Sequence, residues 1–347
     1  MRLQQSVLFI AYAYSAFLVL ETDQAQATTT VRTELKKSTP QTTGLGNVLP
    51  EPPYCGHDFT GNKIMSNIVT LGQYPWMALL GYKNGKWKIQ LEDRWRRTFY
   101  SFFLSFCLLS LMNNIDNGDE QFMCGGSLIH PRYVLTVAHC VIDNFGKKGN
   151  GLSKIRLGEH DLNQEIDCVY NECSEKPSDL SYEDIIIYPN YDHRSHQNDI
   201  ALIRLADKVN FTQFILPICL PLTETRLNLT GGEFLIAATW DRLDANAKVK
   251  SHKRVSVVEH TDCVNRYREH DFQLTTSQIC AASNVSKDNC AGDSGNPLMR
   301  MAYTNHSHHW YLEGVLSFGY RCGFQGWPVV YTRVADYVDW IQQNIKE

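Results

Sequence analysis

Asn289-Cys290-Ala291-Gly292-Asp293-Ser294-Gly295 decides how this chain is read. A serine hydroxyl is a poor nucleophile at neutral pH. It needs an imidazole to take its proton and a buried carboxylate to hold that imidazole in one tautomer. Leu135-Thr136-Val137-Ala138-His139-Cys140 offers the imidazole, and Asn198-Asp199-Ile200-Ala201-Leu202 offers the carboxylate. Each string alone arises readily by chance. All three in one chain, in the order His139, Asp199, Ser294, point to nucleophilic acyl transfer, and the order matters because the same groups follow other orders on unrelated folds.

Around these strings the chain reads as many short strands separated by turn residues: Trp76 to Leu80, Gly126 to Ile129, Tyr133 to Val137, Ile155 to Leu157, Ile185 to Tyr188, Ala201 to Leu205, Phe234 to Ala238, Val255 to Val258, Leu312 to Ser317 and Val329 to Arg333. Such a pattern predicts an all-β, antiparallel fold closing into barrels. Val334, Tyr337, Val338 and Ile341 recur at helical spacing, which predicts a C-terminal amphipathic α-helix.

With its three strings in this order, the chain resembles the chymotrypsin-like (trypsin family) serine endopeptidases from Ile64 to Lys346, apart from one insertion. The resemblance implies two six-stranded antiparallel β-barrels with His139, Asp199 and Ser294 in the cleft between them. It implies that Gly292 and Ser294 donate backbone N–H groups to the oxyanion, and that the reaction needs no cofactor. Ser317 would begin the strand that pairs with substrate, its hydroxyl near Asp199; the alternative is an ordinary strand serine. Asp288 would lie at the base of the specificity pocket and meet an arginine or lysine side chain, arginine preferably, through two parallel hydrogen bonds. Gly319 would keep one pocket wall open. On the other wall relatives read Pro-Gly-Val-Tyr, but this chain reads Pro328-Val329-Val330-Tyr331, so Val329 puts a branched side chain where a glycine leaves room. Asn296 also replaces a glycine, at a backbone position expected to need positive φ, which Asn tolerates better than most residues.

In the same family a cut after a basic residue frees an amino group that pairs with the Asp preceding the nucleophile. Here the cut is expected between Lys63 and Ile64, with Asp293 as the carboxylate; the alternative is that Lys63 is only a linker charge. A buried ammonium is costly unless an opposite charge meets it, so the pair switches on only after cleavage. Met65, Ser66 and Asn67 depart from the family's usual residues behind the new N-terminus. Of 11 cysteines, the resemblance pairs Cys124 with Cys140, Cys263 with Cys280 and Cys290 with Cys322, and in relatives a pair like Cys55 and Cys219 tethers the propeptide to the catalytic chain. Cys168 and Cys173 are near enough in sequence to close a small loop. Cys107 is left over. Zinc is the competing use of the cysteines, but no CxxC spacing favours it.

The N-terminal stretch has Arg2, an apolar run from Val7 to Leu20 and an Ala25-Gln26-Ala27 ending, the layout of a cleavable secretory signal over 1–27. The run is short for a bilayer core of about 30 Å, so secretion is expected rather than a membrane anchor. Residues 28–63 are rich in Thr, Pro and Gly and read as a flexible propeptide or light chain, and residues 64–347 as the protease domain. Arthropod cascade proteases of this family often carry a six-cysteine clip module in the propeptide; with Cys55 alone there, none is expected. A formal net charge of -4 implies no nucleic-acid partner.

About 85–116 forms an atypical insertion between Tyr82 and Cys124. It holds Arg94-Trp95-Arg96-Arg97, an apolar run from Phe99 to Leu109, and the odd Cys107, and it would expose an aggregation-prone patch while being too short to cross a bilayer. Gly85-Lys86-Trp87 is encodable by a splice-donor-like GGTAAGTGG, the Phe, Ser and Leu run suits a pyrimidine tract, and Ile115-Asp116 can hide an acceptor AG. The segment is therefore expected to be a translated intron, against an exosite or a membrane-touching loop as the alternative. Sequencing of transcripts across the junction separates these.

Glu159, Asp161, Asn163 and Glu165 bring hard oxygen donors together, and some relatives bind calcium in this loop; a structural calcium ion there stands against a plain acidic surface loop. Asn210, Asn228, Asn284 and Asn305 are glycosylation sequons. His306, His308 and His309 are expected in a solvated loop rather than at a metal site, because nothing nearby completes one. The whole reads as a secreted zymogen acting on a protein substrate after basic residues, with an upstream activating protease and a serpin-type inhibitor as partners. By resemblance to arthropod clip-type proteases its setting is an extracellular immune or developmental cascade. The alternative from another class is a non-catalytic protease homologue acting as a binding cofactor or decoy.

Overall fold

The structure, a computed structural model, describes residues 49–58, 69–83, 120–142, 148, 151–169, 172–222, 225–240, 248–283, 294–304, 307–320 and 327–346. The chain divides into two compact units, Met1–Gly46 and Asn47–Glu347, and all described residues belong to the second. The signal segment, the Lys63 to Ile64 junction, Asp288, Gly292, Asp293, Cys107, Cys290, Cys322, Asn284 and Asn305 lie outside the described residues, as does the 85–116 insertion.

The fold is antiparallel β in two lobes. The second is a closed six-stranded barrel of β10 (Phe234–Trp240), β11 (Lys250–Val258), β12 (Gln278–Ala282), β15 (Val329–Arg333), β14 (Ser307–Phe318) and β13 (Pro297–Thr304) in that order around the ring. The first has seven strands rather than the expected six, in the order β7 (Ser178–Leu180), β4 (Leu152–Leu157), β1 (Met77–Tyr82), β2 (Gln121–His130), β3 (Tyr133–Thr136), β9 (Ala201–Leu205), β8 (Tyr182–Ile187). The seventh strand is held by charge. Arg156 pairs with Asp179 across the β4–β7 register and grips it with both ends of its guanidinium, at 2.6 and 2.9 Å. Such two-point Arg–carboxylate contacts are the stronger kind of ion pair.

β1 and β2 remain paired out to Tyr82 and Gln121, so the chain returns to the point at which it left. A hairpin of a few residues closes such a gap. The barrel therefore demands nothing of 85–116.

The two lobes share one core. Trp76 and Trp310 are fully buried with ring centroids 6.4 Å apart, and Tyr74 meets Trp310 edge-on at 5.2 Å. Burial of each such ring contributes on the order of 2–3 kcal/mol. The 49–58 segment docks here through the Cys55–Cys219 disulfide, with the Gly56 carbonyl accepting the Trp310 N–H and the Gly56 N–H donating to the Pro217 carbonyl. Gly56 has φ 64°, and a Cβ there would lie 2.3 Å from the Trp310 carbonyl oxygen, so only glycine fits. Cys124–Cys140, Cys168–Cys173 and Cys263–Cys280 are also bonded.

Three expectations need correction. Val338–Asn344 is helical, but the turn before it, Val334–Asp336, is 3-10. His308 and His309 belong to β14, not to a solvated loop; His309 is buried, with Nδ1 3.2 Å from the Cys55 carbonyl oxygen. Asn296 does not have positive φ: the left-handed residue is its neighbour Gly295, at φ 86°.

Candidate active site

His139 lies in a single helical turn, Ala138–Val141, that leaves β3 and is pinned by the Cys124–Cys140 disulfide to β2. Asp199 lies two residues before β9, the strand hydrogen-bonded to β3, so β-pairing brings base and carboxylate together. Asp199 is fully buried. Its Oδ2 lies 2.7 Å from His139 Nδ1 and accepts the Ser317 hydroxyl at 2.5 Å, while Oδ1 accepts the His139 backbone N–H at 3.0 Å. Thr332 Oγ1 donates to the Asp199 carbonyl at 2.8 Å. Burial pushes the Asp199 carboxyl upward, but the His139 imidazole, the nearby His196 ring and the Ser317 hydroxyl outweigh it and hold it at about 2.

The loop that delivers Asp199 is strained. His196 and Asn198 both have positive φ, 54° and 57°, which costs a residue with a Cβ on the order of 1–2 kcal/mol. Several bonds hold it: Asn198 Nδ2 donates to the Asn190 carbonyl, Tyr337 Oη donates to Asn198 Oδ1, and Gln278 Nε2 donates to the His196 carbonyl. His196 thereby stands beside His139, a second imidazole that the sequence motifs do not mark.

Ser294 sits where the two lobes meet. Its carbonyl accepts the Gly125 N–H of β2 at 2.8 Å, and the next N–H, of Gly295, bonds to the Leu316 carbonyl of β14. Cys140 Sγ lies 3.8 Å from the Ser294 carbonyl oxygen, which sets the nucleophile beside the residue that follows His139. Gly295 admits no side chain, because a Cβ would lie 2.1 Å from the Gly125 carbonyl oxygen. Asn296 donates from Nδ2 to Thr239 Oγ1 at 3.1 Å, and its Oδ1 fills the space over Gly125.

With Asp199 accepting from Nδ1, this arrangement can hold the ring proton there and leave the Nε2 lone pair able to take a serine hydroxyl proton as its oxygen attacks a carbonyl, and to pass that proton to a leaving amine. An ionised Asp199 would balance the transient imidazolium.

Of the remaining expected positions, Ser317 and Gly319 lie at the end of β14 and just past it, and Val329 begins β15, where it is buried against Leu316 and Tyr331. Asn210 and Asn228 are exposed. The four expected calcium donors do not converge on an ion. Glu159 accepts from Arg156 and from the His160 N–H, Asp161 from Asn163 and Gln164, and Glu165 from Lys176. Calcium takes six to eight oxygens, so this arrangement does not fit it. Positive charge comes from the chain itself: Lys250 of β11 is buried, donates to the Gln73 and Tyr74 carbonyls, lies over the Trp240 ring and acts on Glu159 and Asp167. Burial lowers Lys250 to about 8, the two carboxylates opposing that shift.

Burial, with Lys250 adding to it, lowers His160 to about 4. Between its ordinary value near 6.5 and about 4, the unfolded chain binds a proton there that the folded chain does not, so folding stability falls as pH drops through that window. The parent is expected to lose on the order of 2 kcal/mol more than His160→Gln between pH 7 and 4, read from denaturant midpoints. Equal losses would remove His160 from the account.

The trypsin family model matches residues 109–341. The chain is 38% identical over 308 residues to Serine protease 7 of Drosophila melanogaster, covering 87% of this chain and 70% of that protein. It is 36% identical over 310 residues to phenoloxidase-activating factor 3 of Holotrichia diomphalia, covering 87% and 78%. The crystal structure of the Drosophila Grass clip serine protease of the Toll pathway superposes with a TM-score of 0.64 at 30% identity, covering 84% of this chain and 75% of that one.

Proposed function

The chain belongs to the trypsin family of serine endopeptidases, and from that premise we propose that it is a secreted zymogen, activated by a cut between Lys63 and Ile64, that cleaves proteins after basic residues in an extracellular cascade. The observation that carries catalysis is the Asp199–His139 contact at 2.7 Å, with Ser294 held by both lobes next to it. The cascade setting is supported by the relatives' names, which include phenoloxidase-activating enzymes and clip-domain proteases. Among the described residues no helix is long and apolar enough to cross a membrane. An upstream protease acting at Lys63 and a serpin-type inhibitor entering the same cleft are the partners this reading calls for. Glycans at Asn210 and Asn228 accord with their exposure.

Arginine is the proposed preference because Asp288 offers a guanidinium two parallel hydrogen bonds. Val329 opposes it. Its branched side chain belongs to the buried cluster that includes Leu316 and Tyr331, and on this reading that cluster borders the pocket. Val329→Gly is expected to raise kcat/KM for arginyl over leucyl substrates by about 10- to 200-fold, the range that one or two methyl-sized contacts command. A panel of peptide substrates differing only before the scissile bond reads this. A parent enzyme that prefers leucine and a variant that does not change would dismiss the basic specificity.

A further inference from the structure

Beside the relay stands an imidazole with no part in it. His196 Nδ1 is buried, has no hydrogen-bond partner among the described residues, and lies 3.9 Å from the same Asp199 Oδ2 that His139 Nδ1 contacts. The two rings stand edge-on at 85° with centroids 5.7 Å apart. One ligand atom from each of His139, His196 and Asp199 lies within 4.8 Å of the other two. The other three-residue group of this kind among the described residues, Cys124, His139 and Cys140, is disqualified because its sulfurs are bonded to each other.

We propose that His139, His196 and Asp199 form a zinc site, and that a Zn2+ ion bridging the two Nδ1 atoms and Asp199 Oδ2 reversibly switches the protease off. Two imidazoles and one carboxylate are a donor set zinc takes readily, at about 2.0–2.2 Å per bond, with water in the fourth position. Ligand atoms around a tetrahedral ion of that radius sit about 3.3 Å apart, so the site closes by a movement of about an ångström. One face of the His196 ring packs against Phe318 with centroids 5.1 Å apart, and 22% of the side chain is exposed to solvent. The ion also meets a carboxylate that is fully buried.

The switch works through the tautomer. When zinc takes the Nδ1 lone pair of His139, the proton held there leaves to water and Nε2 takes one up, with no net proton released by the ring. Nε2 then carries a hydrogen and has no lone pair for the Ser294 proton. Metal binding thus stops catalysis without any need to fill the substrate cleft.

The test uses the activated full chain and its Ser294→Ala variant, with zinc chloride as probe. Zinc is expected to lower the parent's rate more than tenfold, with recovery on adding a chelator, and to abolish the downfield His139 Nδ1–H proton resonance in both proteins. His196→Asn keeps a residue that tolerates φ 54° and removes the ligand, so it is expected to need about 10- to 100-fold more zinc for the same fractional inhibition relative to its own metal-free rate. Zinc inhibition equal in parent and His196→Asn would overturn the site. So would zinc binding that leaves the Nδ1–H resonance in place. Because the resonance is read in Ser294→Ala as well, a chain that proved unable to cleave peptides would still decide the metal question on its own.

Discussion

Ser294→Ala is expected to lower kcat about 10^6-fold while leaving the fold intact. The substitution removes only Oγ; the contacts that seat residue 294, its carbonyl on Gly125 N–H and the Gly295 N–H on Leu316, are made by the backbone. What is lost is the atom that forms the acyl-enzyme bond, and with it the use of the other two groups. His139 has no proton to take and Asp199 no imidazolium to balance, which is why removing the nucleophile alone costs nearly as much as removing all three members. The comparison needs chain cut at Lys63, a chromogenic peptide substrate and a phosphonofluoridate. The parent is expected to take up the probe at Ser294, and the variant to take up none. Parent and variant equally inert toward both reagents would mean a protease fold used for binding alone; variant activity within about a hundredfold of the parent would move the nucleophile elsewhere.

The relay was legible because its chemistry tolerates few alternatives. A nucleophile seated between two lobes needs Gly295, whose φ of 86° and 2.1 Å approach to Gly125 admit no side chain, so the Gly-Asp-Ser-Gly string is conspicuous in sequence. Strands with a clear apolar run were legible too. β12, Gln278–Ala282, was not: it is buried from Gln278 through Ala281 and shows no alternation. The helix His260–Arg268 was missed for a related reason, since only Cys263 and Tyr267, four positions apart, are buried in an otherwise polar segment. His196 could not be found in Asp192-His193-Arg194-Ser195-His196-Gln197, where every residue is ordinary loop material. Its position follows from two left-handed residues and from side chains far along the chain that hold them. The Lys250 cluster joins the 159–167 loop, Gln73 and Tyr74 to a strand of the other lobe, and no local pattern encodes such a junction. In the same loop the acidic spacing suggested a cation, whereas the fold had already supplied Arg156, Lys176 and Lys250 as the positive charges.

Asp199→Asn is expected to lower kcat about 10^4-fold with little change in KM, and the two-point hold on Asp199 explains why so small a change costs so much. Oδ1 accepts the His139 backbone N–H at 3.0 Å, and a backbone amide can only donate, so the carboxamide oxygen of Asn must take that position. The NH2 group then falls where Oδ2 was, 2.7 Å from His139 Nδ1. It can only donate, which forces Nδ1 to accept and moves the ring proton to Nε2, the atom that must be free to take the Ser294 proton. Ser317 does not prevent this, because its hydroxyl can turn from donating to accepting. The flipped arrangement satisfies every hydrogen bond, so the variant is expected to fold normally and to be held in the wrong tautomer. In the parent the problem does not arise down to low pH, since the carboxyl is held at about 2. Kinetics of the purified variant, with folding verified by its thermal midpoint, check the expectation. A loss of less than tenfold in a properly folded Asp199→Asn would show that His139 is oriented by something other than the carboxylate beneath it.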